Sequence, residues 1–119
     1  MSAAAVRAAL AAERAGVGEW LAAAQRDFDR IVDAARSVST DDEHDPEGPG
    51  LAVERALIDA RRWHARARLE ELDRALGRLE VGRYGRCEEC DREIGADRLA
   101  ARPSAVTCVA CARKRVPGR

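Results

Sequence analysis

Four cysteines near the C-terminus stand as two Cys-x-x-Cys pairs, Cys87 with Cys90 and Cys108 with Cys111, and the chain has no others. Residues 91–107 separate the pairs. Each Cys-x-x-Cys turn can present two thiolates to one side of a cation, and a second pair closes a tetrahedron at about 2.3 Å per bond. The spacing fits a four-cysteine zinc site. Two disulfides, four ordinary thiols or a redox Cys-x-x-Cys are the alternatives. The first twelve residues lack the charged and apolar pattern of a secretory leader, so a reducing cytoplasmic setting and a metal are expected. A redox pair would sit in a βαβ unit, and no such unit is visible. Four thiolates leave no open coordination position for water, so the expected zinc is structural and no enzyme activity is expected.

Such a site needs elements to hold it. The chain has 119 residues, 35% charged and only 3% aromatic, which favours long helices over a thick core. Charges balance at 21 basic and 21 acidic residues. Lys114 is the only lysine. Bulk charge therefore gives no sign of a nucleic-acid binder, and no apolar run is long enough to cross a membrane.

From Ala3 to Val38, apolar residues recur at threes and fours: Val6, Leu10, Val17, Leu21, Ala24, Phe28, Ile31, Ala35 and Val38, with Glu13 in one slot. That period marks a coiled-coil seam. Gly16 and Gly18 weaken the helix and predict a local bend or fraying. Ser39 to Gly50 reads as a turn, because Pro46, Gly48, Pro49 and Gly50 break the pattern. Helix resumes from Leu51 to Val81, with a stripe at Leu69, Leu72, Leu76 and Leu79 and a broader apolar set at Val53, Leu57, Ile58, Ala60 and Trp63. Two such helices should fold back antiparallel, each roughly 45–55 Å long.

The expected architecture is mainly α. An antiparallel helical hairpin (coiled coil) over 1–81 carries an acidic tip at 39–50. A small four-cysteine zinc finger over 82–119 follows, with Ile94, Leu99 and Val106 as its packers and a short C-terminal helix bearing Cys111 and the basic Arg113–Arg115 tail. The tip holds Asp41, Asp42, Glu43, Asp45 and Glu47, with no lysine or arginine between Arg36 and Arg55. Such a cluster projects negative potential toward a basic cleft or a bound metal ion, or is a solvated loop. His44 and His64 have no partners for a catalytic triad. The mixed charges of the second helix, Arg55 to Asp73, read as an exposed face.

The stretch from Tyr84 to Ala112 resembles the zinc-finger segment of the DksA/TraR family of bacterial transcription regulators. The resemblance rests on Tyr84-Gly85, the two cysteine pairs, Ile94, Arg98-Leu99, Ala101 and Pro103, and it extends to a helical hairpin ahead of the finger. It implies a zinc cofactor and a cytoplasmic protein that binds RNA polymerase rather than DNA. It also implies that the coiled coil enters the polymerase secondary channel and brings its acidic tip near the catalytic magnesium. Some members act together with the nucleotide effector ppGpp. The tip pattern of the best-studied members is Asp-Pro-x-Asp-x-Ala. Asp45-Pro46 matches its start, whereas Gly48 and Gly50 replace the second aspartate and the alanine. Asp91 stands where the finger often has glycine. A monomer is expected. The competing readings are a zinc-ribbon DNA-binding protein and a coiled-coil adaptor that pairs with another helical protein.

Overall fold

The computed structural model describes residues 2–39 and 48–115. The tip residues Asp41, Asp42, Glu43, Asp45 and Glu47, with His44, lie outside the described residues, as does the side chain of Val38. Helix α1 spans Ala3–Ser39 and helix α2 Gly48–Glu80. Two short helices follow, α3 at Ala96–Ala101 and α4 at Val109–Arg115. The protein is thus mostly helical: a long helical hairpin precedes a small finger, and the described residues hold only one isolated antiparallel bridge, Arg86 with Glu93.

Local chemistry sets the helix ends. The Ser2 hydroxyl accepts the Ala5 amide at 3.1 Å, a side-chain cap that satisfies a donor the first turn leaves open. α2 begins three residues ahead of the expected Leu51, because proline is tolerated in a first turn, where its missing N–H has no partner to lose. At the other end, Gly82 takes φ 75°. Its amide donates to Leu79 O at 3.2 Å, and the Arg83 amide donates to Arg78 O at 2.8 Å. These two bonds form a Schellman stop, which releases the chain from α2 into the finger.

The chain divides into two compact units, Gly16–Arg68 and a second made of Met1–Ala15 with Leu69–Arg119. In the second unit the seam is closed: Leu10, Leu72 and Ala75 are fully buried, with Val6 and Leu79 nearly so. Arg14 donates across the pair to both carboxylate oxygens of Asp73. That bond holds the Asp73 carboxyl below its ordinary range.

In the Gly16–Arg68 unit, Ala24, Ala35 and Ala65 are buried. Val17, Leu21, Phe28 and Ile31 are half-buried. The broader apolar set expected on the first half of α2 packs otherwise. Val53 is 58% exposed, Leu57 53% and Trp63 67%, while Arg62 goes inside. Two facing helices bury one narrow stripe each, so the extra apolar positions have no partner to cover them.

α1 continues as helix through Gly16 and Gly18, without the expected fraying. A Cβ at Gly16, Gly18 or Gly77 would meet nothing within 4 Å. Glycine in an open helix interior costs about 0.5–1 kcal/mol against alanine. The triple variant G16A/G18A/G77A should therefore raise the thermal midpoint in a calorimetric scan. An unchanged or lowered midpoint would show that one of these glycines serves a close approach.

Candidate metal centre and its supports

The four sulfurs of Cys87, Cys90, Cys108 and Cys111 all lie within 4.8 Å of one another. None forms a disulfide. A tetrahedron with bonds of about 2.3 Å has edges of about 3.8 Å, and Cys90 Sγ stands 3.8 Å from Cys108 Sγ. The set therefore fits a closed four-sulfur zinc site.

The local backbone explains how the two pairs converge. Each knuckle folds its amides onto its first sulfur. Glu89 N donates to Cys87 Sγ at 3.4 Å, and Cys111 N to Cys108 Sγ at 3.5 Å. Asp91 closes the first knuckle in the left-handed region, φ 64°, with its amide on Cys87 O at 2.9 Å. Aspartate tolerates that backbone better than most residues. Its carboxylate also accepts from Arg83 at 2.6 Å, a contact that glycine at this position would lack. Cys87 N donates to Arg92 O at 2.7 Å and Ile94 N to Gly85 O at 2.8 Å, which pairs the two flanks of the knuckle. The Glu88 amide then reaches across to Val106 O at 2.8 Å and brings the second knuckle alongside.

Charge makes the same case for a cation. Burial pushes the Cys87 thiol up, but backbone amides of Cys108, Cys90 and Glu89 outweigh it and bring the group to about 6. The neighbouring Cys108 sulfur, with burial and the other two cysteines, pushes Cys111 up to about 12. Four sulfurs this close cannot all be thiolates at neutral pH unless a cation neutralises them. Zinc bound here would supply four metal–sulfur bonds as a structural clamp.

The finger has little else to hold it. Its apolar cluster is Cys87, Ile94, Ala105 and Cys111, with Leu99 and Cys108 against it. Val106 is buried as well. α3, a helix beyond the expected elements, presents Leu99 and Arg98. Arg98 Nε donates to Thr107 O at 2.8 Å and ties α3 to the second knuckle. The run Ala-Asp-Arg-Leu-Ala-Ala after Gly95 carried a helix signal that could have been read.

One face of α2 grips the finger through three residues spaced as neighbours on a helix, Glu71, Arg74 and Arg78. The Glu71 carboxylate accepts two bonds from Arg102, at 2.7 and 2.6 Å, and a third from Ser104 Oγ at 2.9 Å. Arg74 pairs with Glu88, beside the first zinc cysteine. Arg78 donates to Arg86 O at 2.9 Å. Tyr84 adds a bond from its hydroxyl to Pro103 O at 2.7 Å. Ser104 is fully buried beneath this clamp.

None of these partners was legible as a pair from sequence. Glu71→Ala should lower stability by about 1–2 kcal/mol, since it removes a bidentate charge-assisted contact that is half open to water on the arginine side. Urea titration of the zinc-loaded chain measures it, and a change below about 0.3 kcal/mol would deny the clamp any energetic role.

Residues 82–117 match the model of the prokaryotic dksA/traR C4-type zinc finger. The chain is 45% identical over 57 residues to the RNA polymerase-binding transcription factor DksA of Caulobacter vibrioides, covering 48% of this chain and 40% of that protein. It is 34% identical over 68 residues to the protein of the same name from Escherichia coli K12, covering 56% of this chain and 45% of that one. The matched stretches thus span less than half the length of these relatives. In fold it is similar to the transcription factor DksA2 from Pseudomonas aeruginosa, with a TM-score of 0.73 at 20% identity over 95% of this chain and 81% of that one. Residues 82–117 thus carry the pattern of a dksA/traR C4-type zinc finger, in a chain whose fold is similar to that of DksA2.

Proposed function

We propose that this chain is a cytoplasmic transcription regulator that binds bacterial RNA polymerase. In this reading the hairpin enters the secondary channel and the acids at 41–47 act near the catalytic centre. The zinc finger is structural and the protein works as a monomer without enzymatic activity. The observation that carries the reading is the finger at 82–117, whose relatives are named as polymerase-binding factors, joined to a helical hairpin of DksA2-like fold. The absence of a membrane-length apolar helix among the described residues is consistent with it.

The arrangement of charge favours this reading over a DNA-binding ribbon. Three of the finger's arginines engage protein acceptors: Arg83 pairs with Asp91, Arg102 with Glu71, and Arg98 with a backbone carbonyl. Among the described residues α4 has 7, short for a helix that reads a groove. Net charge is zero, where phosphate binding calls for a basic surface.

The test replaces Asp41, Asp42, Glu43, Asp45 and Glu47 by alanine together. Transcription in vitro from a sensitive promoter should lose its response to the protein, while zinc content and thermal midpoint stay as in the wild type. A variant as active as the parent would remove the acidic tip from the mechanism.

A further inference from the structure

Among the described residues, Arg62 is the only charged side chain that is buried, and it lies in the seam of the Gly16–Arg68 unit. Its guanidinium carbon stands 4.6 Å from the centre of the Phe28 ring on the facing helix. Phe28 is the chain's single phenylalanine. Asp59, one turn earlier on α2, lies 3.4 Å from Arg62 Nη1 and is mostly open to water. Arg62 Nε has no hydrogen-bond partner. The cation is therefore held by one exposed carboxylate and one aromatic face.

We infer that the Arg62–Phe28 pair sets the register in which α1 and α2 meet. The rest of this seam is permissive, with small or aliphatic residues at Leu21, Ala24, Ile31, Ala35 and Ala65, and such seams slide at little cost. Sliding α1 by one turn would bring Ala24 or Ile31 to the place of the ring. Sliding it by a heptad would bring Leu21 or Ala35. None offers an aromatic face, so every slipped register buries a cation without its cross-helix partner, which is strongly unfavourable. The native register alone satisfies it. The same logic says that the cation adds uniqueness rather than stability, because an apolar side chain of similar length would pack in the seam without a desolvation penalty.

This reading makes a sign pattern that ordinary packing does not. In the full zinc-loaded chain, Phe28→Leu should lower the thermal midpoint by roughly 5–10 °C, since it strands the cation. Arg62→Met should leave the midpoint unchanged or raise it, and F28L/R62M should be more stable than F28L alone. Amide spectra of the 15N-labelled protein should show one resonance set for residues 16–68 in the wild type and in Arg62→Lys, and more than one set in Arg62→Met. The inference is overturned by any of three results. Arg62→Met could give a single set with the Phe28 ring still against residue 62, it could be less stable than the wild type, or the double variant could be no more stable than F28L.

Discussion

Replacing Cys87 by serine is expected to abolish stoichiometric zinc binding and unfold residues 82–115 while leaving the hairpin largely helical. Cys87 is 1% exposed and lies at the centre of the finger's apolar cluster. Fewer than about 40 residues rarely fold without a metal or a crosslink, and structural zinc contributes on the order of 10–16 kcal/mol in small domains. A hard oxygen in place of one buried thiolate forfeits most of that. The helical signal should fall only modestly, because α3 and α4 hold 6 and 7 residues against 37 and 33 in the hairpin helices. Metal analysis by plasma emission, circular dichroism and amide exchange check it together. Full zinc occupancy in the serine variant, or unchanged protection of the Glu88 and Ile94 amides, would show that the finger stands without its clamp. Chelation of the wild-type chain should give the same exchange pattern.

The second large effect is expected in the seam. Leu72 is fully buried, and Leu72→Ala should cost about 2–5 kcal/mol through lost transfer free energy and a cavity the helices cannot fill. For a chain of this size that is a large share of a total near 5–15 kcal/mol. Trp63 is the larger side chain, but it is 67% exposed, so Trp63→Ala should change stability by less than about 0.5 kcal/mol. The contrast separates burial from hydrophobicity as the cause. Equal losses at the two positions, measured by urea unfolding, would mean that Trp63 is covered in solution.

Much of this was written in the residue pattern. The 3.5-residue period of α1 marked its buried face, because a side chain's place around a helix follows from its number alone. The cysteine spacing marked the metal centre for the same reason: the geometry of a Cys-x-x-Cys turn is local. The expected helix end at Val81 lies one residue from the observed end at Glu80. What the sequence did not show depends on which residue of one helix faces which residue of the other. Arg62 reads as one more exposed arginine until Phe28 is placed opposite it. Glu71 reads as surface charge until Arg102 and Ser104 arrive from more than 30 positions away. Val53, Leu57 and Trp63 read as seam because periodicity does not say how wide a stripe the partner can cover. α3 was not among the expected elements, although its alanines favour helix.

The proposed partner is bacterial RNA polymerase, so binding to it is the decisive measurement. Purified, zinc-loaded chain should be titrated onto immobilised bacterial RNA polymerase core enzyme, then challenged with an unrelated protein that occupies the secondary channel. Saturable one-to-one binding at micromolar concentration or below, lost on addition of the competitor, is the expected result. No association in that range, or association that the competitor leaves untouched, would contradict a hairpin that works from inside the channel.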